Sequence, residues 1–523
     1  MTTIAGEITQ KIKQVSWSQV FMPRLEDILF LTLFFAVIML GPRLMNMDGD
    51  LGRHLTIGKY IVENGTIPTR DIFSHTMQGS PLTPHEWLAQ VTFALTYQTA
   101  GLNGVVIFCA LLISITFTLV YRQCLARSKM LLVSLGMTVI AAAAASIHWL
   151  ARPHLFTMLF TVIWIGELEK WRITGKWRMW ILPILMLAWV NFHGAFIVGI
   201  LIWLIYFLDH LYTKHNLSSS KKEQSSQPNE RKKSNLQTRN FLIVGFVVIL
   251  LTFLNPAGWR IWETTFGFLQ NQYLVSHTIE YQSPNFQEIN AWPFLGMICL
   301  SILMLSLHRR ELSLAVVLLL TFWTVFGLVS ARNIAVYAVV AAPLLAGIGA
   351  TILLDNYYLR NIINFDCKLR IIDRNLLGYL WSLVGVFVIA GLVIGGFTLD
   401  TSGLGNRFSE NVFPVEAVDW ILEQPEQGRV FNYFPWGGYL LYRAWPQQEV
   451  FIDGQTDFYG EDLTRQYEKV IVLEDGWQEV LEKYEVDWVI MPVDSDLALE
   501  LNHHPSWEKR YVDQTAAIYF TIP

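Results

Sequence analysis

The sequence predicts a polytopic α-helical membrane protein with about eleven transmembrane helices and a C-terminal extracytoplasmic α/β domain. Three observations carry that expectation. The 523 residues are 53% hydrophobic and only 15% charged, and soluble domains carry roughly 25% charged residues. Apolar runs of crossing length recur up to about residue 397 and then stop. Lysine and arginine are concentrated in every other connection between those runs.

In chain order the runs cover 28–45, 104–121, 130–149, 155–165, 179–190, 195–208, 241–254, 291–307, 312–329, 334–354 and 376–397. A helix crosses a bilayer with about 20 residues, fewer where the membrane thins or flanking side chains snorkel. The first run is followed by Gly41-Pro42-Arg43 rather than by small residues, so it reads as an anchor and not as a cleaved signal. Basic connections hold Arg122, Arg127 and Lys129; Lys170, Arg172, Lys176 and Arg178; the stretch 214–239; Arg309 and Arg310; and Arg360, Lys368, Arg370 and Arg374. These face the cytoplasm by the positive-inside rule, which puts the N-terminus inside and everything after about 398 outside. The segment 213–239 has the serine, glutamine and lysine content of a disordered cytoplasmic linker. The chain divides into a membrane domain, 1–398, and an extracytoplasmic domain, 399–523. The net charge of −5 carries no nucleic-acid signature. None of the four cysteines lies in the outer domain, which must stand without disulfides.

The opposite connections hold the unusual polar clusters: Asp48-Gly49-Asp50 with Arg53-His54, His85-Glu86-Trp87, Arg152-Pro153-His154, Asn191-Phe192-His193, Asn255-Pro256 and Arg332-Asn333. A charge at membrane depth costs roughly 2.5–3.5 kcal/mol even on insertion scales, so one-sided accumulation implies a shared site. The external loop 46–88 is long for a connection. It opens on an amphipathic run in which Leu51, Leu55, Gly58 and Ile61 share a helical face, ends that run at Asn64-Gly65, and starts a second helix near Pro84 that reaches about Thr99.

Those residues resemble the first external loop of the GT-C membrane glycosyltransferases. The likeness lies in Asp48-Gly49-Asp50-Leu51-Gly52-Arg53-His54-Leu55 and His85-Glu86-Trp87-Leu88. It continues at Arg152-Pro153, Asn191-Phe192-His193-Gly194, Asn255-Pro256-Ala257-Gly258, Ser283-Pro284, Arg332-Asn333 and Trp436-Gly437-Gly438-Tyr439. The resemblance implies inverting transfer of a sugar from a polyprenyl-phosphate-linked donor to an acceptor at the external membrane face, the acceptor being a glycan, lipid or protein. It also implies membrane lipid as a partner and an integral cell-membrane location.

An acceptor is a weak nucleophile, so a positioned carboxylate must take its proton, while cations stabilise charge on the leaving phosphate. On this reading Asp48, Asp50, His54, His85 and Glu86 are the catalytic candidates. Arg53, Arg152, His154, His193 and Arg332 are the donor-phosphate candidates, because guanidinium pairs with phosphate oxygens two at a time. Asp48 and Asp50 are also candidate ligands for a divalent metal, Mg or Mn. In the oligosaccharyltransferase branch a metal is held by acids of two external loops, whereas the second loop here offers Arg152-Pro153-His154 and no acid. The competing bland readings are an N-cap role for Asp50, snorkelling of Arg152 and Arg332 to headgroups, and satisfied interfacial histidines.

In the outer domain the pattern reads as helix 414–424, strands 429–433 and 449–452, helices 461–473 and 477–484, strand 486–491, helix 494–502 and a closing hairpin of 507–512 and 516–521. Trp436-Gly437-Gly438-Tyr439 reads as a glycine turn with aromatics, similar to the Trp-Trp-Asp-Tyr-Gly acceptor motif of the oligosaccharyltransferase catalytic subunit but lacking its Asp. With Asp453 it makes Trp436 and Tyr439 acceptor-binding candidates. Two other functions compete: a transporter or flippase, which needs ionisable residues deep in the spans, and a non-catalytic glycan-binding scaffold.

Overall fold

The computed structural model describes residues 21–175, 178–219, 228–376, 378–395, 406–424 and 428–522. Each of the eleven apolar runs is helical. They fall in α1 (Leu25–Met39), continued by α2 (Gly41–Asn46), then α4 (Trp87–Ser128), α5 (Leu131–Ala145), α6 (His154–Thr174), α7 (Ile181–Phe192), α8 (Ile197–Ser219), α9 (Pro228–Leu251), α12 (Trp292–Leu307), α13 (Leu314–Val329), α14 (Ile334–Asp355) and α16 (Tyr379–Ile394). Among the described residues six helices are long and apolar enough to cross a membrane, or seven if the bent pair made by α15 (Arg360–Asn375) and α16 is one span. Helix α14 is the hub. It is apolar on all sides, buried from Ile334 to Leu345, and packs on α4 and α5, as a helix without a polar face must. The linker reading is corrected at its flanks, since α8 runs to Ser219 and α9 begins at Pro228; residues 220–227 lie outside the described residues.

The segment 46–88 folds as its pattern demands. Helix α3 (Asp50–Asn64) ends on Gly65 in the left-handed conformation, φ 65°, where only glycine is unstrained. The second helix does not stop at Thr99: α4 continues into the apolar run 104–121 across a break at Ala100-Gly101. Two short helices, α10 (Arg260–Gln270) and α11 (Gln272–His277), lie between α9 and α12.

The outer domain carries α17 (Val415–Leu422), β1 (Arg429–Asn432), α18 (Gly437–Ala444), α19 (Thr456–Ile471), α20 (Trp477–Lys483), β2 (Val486–Pro492), α21 (Asp496–Leu501), β3 (Trp507–Val512) and β4 (Ala516–Thr521). The sheet order is β1-β2-β4-β3, parallel at β1/β2 and antiparallel elsewhere. Two expectations fail here. Residues 449–452 add no strand to this sheet; Val450 instead bridges to Ser74 of the external loop, with His75 N–H to Val450 O at 3.1 Å and Val450 N–H to Phe73 O at 3.1 Å. The loop has taken its pairing partners. Gly437-Gly438 is not a turn but the first turn of α18, entered through a 3-10 turn at Phe434–Trp436.

The reason for those glycines is close packing. A Cβ on Gly52 would overlap the Gly438 carbonyl, one on Gly438 the Gly49 carbonyl, and one on Gly49 the Pro435 carbonyl. Helices α3 and α18 therefore cross backbone to backbone, and the outer domain is docked on the helix that starts at Asp50.

Candidate active site

The docking gathers residues far apart in sequence. Arg152, just before α6, donates to the carboxylates of both Asp50 and Glu280, and the Asp48 carboxylate stands 3.7 Å away. Asp48, not Asp50, does the local capping: its Oδ1 accepts from Asp50 N–H at 2.9 Å. Its Oδ2 is buried without a hydrogen bond. Burial, only partly offset by Arg152, pushes the Asp48 carboxyl up to about 6. Burial works the same way on Glu280, but Arg152 and Arg332 outweigh it and hold that carboxyl at about 2.

A second set surrounds Glu86. Arg53 Nη2 lies 3.7 Å, His54 Nδ1 3.8 Å, His193 Nε2 3.7 Å and His85 Nε2 3.9 Å from its carboxylate, all beyond hydrogen-bond reach. Arg53 is held from the outer domain, donating to Gln455 Oε1 at 2.8 Å with Asp453 at 3.8 Å. Asp453 accepts from Gln455 N–H at 2.8 Å, and burial pushes it up to about 6 against the pull of Arg53. His85 faces Asp457 at 3.9 Å. Burial and Arg53 keep His54 neutral, and burial and Arg332 do the same for His193.

His193 fixes its own tautomer. Arg332 Nη2 approaches Nε2 at 3.3 Å, so the ring proton sits on Nδ1, 2.8 Å from Thr157 Oγ1, which also accepts from Trp189 at 2.8 Å. The Arg332 guanidinium donates to Tyr281 at 2.5 Å and lies 5.0 Å from the centre of that ring. Among the described residues no carboxylate lies within ion-pair distance of it, in contrast to Arg152. His154 approaches the carbonyl of His148, whose own ring bonds the Ala331 carbonyl at 2.8 Å.

Part of this set lines one cleft of about 80 Å³. Glu86, His148, Arg152, His154, His193, Glu280 and Arg332 make its polar end; Met158, Val198, Ala335 and Val336 make an apolar wall. A smaller crevice of about 10 Å³, room for one water-sized group, opens on the other side of Glu86. Of the residues expected from sequence, Asp48, Asp50, Arg53, His54, His85, Glu86, Arg152, His154, His193, Arg332 and Asp453 are brought together. Trp436 and Tyr439 are not. Both are buried in the docking contact, Trp436 bonded to the Val412 carbonyl at 2.8 Å and Tyr439 against Phe408 and Phe413. Sequence reasoning missed Glu280 and Tyr281, which lie just ahead of the Ser283-Pro284 pair that had marked their loop, and gave no role to Gln455 and Asp457, which follow Asp453.

A divalent metal does not fit the residues present. Asp50 is already engaged by the Arg152 guanidinium, Asp48 by the Asp50 backbone, and no group of three or more His, Cys, Asp or Glu among the described residues has metal-binding geometry. The position between the carboxylates is filled by a cation that belongs to the chain.

Comparison with solved structures gives the same architecture. The apo oligosaccharyltransferase of Archaeoglobus fulgidus superposes with a TM-score of 0.52 over 89% of this chain and 70% of its own, at 10% identity. This chain shares its fold. The oligosaccharyltransferase AglB of the same organism, in complex with an inhibitory peptide and a dolichol-phosphate, matches at 0.50 over 94% and 74%, also at 10% identity. ArnT from Cupriavidus metallidurans, bound to undecaprenyl phosphate, covers 94% of this chain and 97% of its own at 14% identity, with a TM-score of 0.43. No family model and no curated sequence matches. The GT-C likeness read from the residues therefore holds at the level of the fold.

Proposed function

We propose that the protein is an inverting membrane glycosyltransferase that takes a sugar from a polyprenyl-phosphate-linked donor and passes it to an acceptor at the extracytoplasmic face. In this reading the eleven apolar runs, from α1 to α16, cross the membrane with the N-terminus inside, and the C-terminal domain faces the extracytoplasmic side. The observation that carries the proposal is the two-ended cleft. Arg332 and neutral His193 stand at its polar end without a carboxylate bonded to the guanidinium, and an apolar wall from α6, α8 and α14 leads away from them. A phosphate with a prenyl chain has the same two ends. That AglB was solved with a dolichol-phosphate supports the same ligand class here.

The leaving phosphate falls to Arg332, with Arg152 held back by its carboxylates as a fixed positive charge at the cleft wall. A carboxylate of the first external segment takes the acceptor's proton. Asp50 is committed to Arg152, and Asp48, whose Oδ2 is buried and unbonded, does not line the cleft.

Native mass spectrometry of the purified protein with undecaprenyl phosphate tests the reading. One bound lipid per chain, lost in Arg332→Ala, is expected. A wild-type protein that binds none would remove the donor site.

A further inference from the structure

Glu86 differs from every other carboxylate in the site. Asp50 and Glu280 are bonded to Arg152, Asp453 caps its own turn, and Asp48 lines neither cavity. Glu86 lines both, as the wall between the cleft and the crevice. Its nearest nitrogens, from Arg53, His54, His85 and His193, stand at 3.7–3.9 Å, too far to occupy its lone pairs. The crevice beyond it presents Arg53, Thr83, His85, Gln90 and Gln455, all of which can bond a hydroxyl, between the carbon faces of Pro68 and Pro84.

We infer that the crevice is the acceptor's subsite, that it takes a neutral, hydroxyl-bearing group, and that Glu86 is the catalytic residue that accepts its proton. The inference rests on the transfer reading above and names its acceptor class and base. Glu86 is in the crevice lining, and Asp453 and Asp457 stand behind two of the other lining residues, 3.8 Å from Arg53 and 3.9 Å from His85, so the Arg53 charge is already matched by acids and an anionic acceptor gains nothing that a neutral alcohol does not. The crevice's room of about 10 Å³ takes a single water-sized group, so one hydroxyl enters it and the rest of the acceptor stays outside. The acceptor oxygen forms a bond to the anomeric carbon while its proton passes to the Glu86 carboxylate. The bond from that carbon to the phosphate oxygen breaks, and its electron pair leaves with the phosphate towards Arg332. Glu86 and Arg332 both flank His193, at 3.7 and 3.3 Å, so base and leaving-group site share one wall.

The test has two arms on the full-length protein. In the first, carbodiimide with glycine ethyl ester modifies accessible carboxyls, mapped by mass spectrometry. Glu86 is expected to react at least tenfold faster than Asp50 or Glu280. Methyl α-glucoside should slow it at least fivefold, and glycerol phosphate less than twofold. Equal reactivity, no protection by the glucoside, or stronger protection by glycerol phosphate overturns the inference. In the second, membranes carrying each variant are followed for loss of labelled sugar from their polyprenyl-phosphate pool. Glu86→Gln should slow the loss at least a hundredfold with undecaprenyl phosphate binding unchanged within twofold, and Glu86→Asp should recover part of it. Near wild-type transfer in Glu86→Gln refutes the base. Failure of the wild type to bind undecaprenyl phosphate instead refutes the donor reading and leaves the labelling result standing on its own.

Discussion

Arg152 donates to Asp50 across 102 residues of chain, and the same guanidinium reaches Glu280 a further 128 residues on. The pair joins the mouth of α6 to the first turn of α3. Because α3 is also the helix on which α18 rests, the ion pair ties the membrane helices to the outer domain at the point where the cleft opens. Arg152 is therefore a keystone of the site, and Arg332 is the cation left for a ligand.

Removing the keystone should be costly. Arg152→Ala leaves Asp48, Asp50 and Glu280 facing one another, and stranding buried charges costs about 2–4 kcal/mol after allowance for partial exposure of the arginine. Thermal unfolding in detergent should show a clear drop, with Arg152→Lys intermediate because an ammonium cannot hold two carboxylates in the same planar fork. An unchanged melting temperature for the alanine variant contradicts the assignment.

The same geometry bears on metals. Mn2+ titrated into the purified protein should give no stoichiometric binding by electron paramagnetic resonance, and chelator should leave undecaprenyl phosphate binding unchanged. Arg152→Ala, which opens the space between three carboxylates, should gain affinity for Mn2+. A wild-type site for one Mn2+ that disappears in Asp50→Asn would show that the carboxylates release Arg152 for a metal.

Asp453 makes a pH prediction with a definite sign. Its folded value, about 6, lies above its ordinary 3.8, so the fold favours the protonated form. Its contribution to stability is fully present below pH 3.8 and is lost as pH rises through 6. The stability of wild type relative to Asp453→Asn should fall by on the order of 3 kcal/mol between about pH 4 and pH 6 and stay level above. Taking the difference removes the opposing contribution of the buried histidines, His54 and His193, common to both proteins. A difference that rises with pH would mean that Arg53 dominates Asp453.

The sequence disclosed most of this site and misassigned part of the rest, for physical reasons. Asp48, Asp50, Arg53, His54 and Glu86 cluster at helix starts beside apolar runs, where charge is expensive and so conspicuous. Glu280, Tyr281 and Gln455 carry no such local mark. Gln455 meets Arg53 across 402 residues, a contact that exists only once α18 has docked on α3. Trp436 and Tyr439 were misleading because a glycine pair between aromatics signals a turn, whereas the glycines are needed for the crossing of Gly438 with Gly52 and the rings fill the contact. Asp50 looked like a helix cap, but Asp48 supplies that bond and frees Asp50 for Arg152. The strand at 449–452 was sound as an extended segment and wrong in its partner, because periodicity reports conformation and not which edge will pair.

The account turns on a phosphate held by Arg332, and the most direct measurement is the affinity of undecaprenyl phosphate for wild type and for Arg332→Lys. Lysine keeps the charge and loses the planar fork, so binding should weaken by about 1–3 kcal/mol, while Arg152→Lys, whose guanidinium is committed to Asp50 and Glu280, should change it far less. Equal affinities for wild type and Arg332→Lys, or a larger loss at Arg152 than at Arg332, would contradict the placement of the donor phosphate.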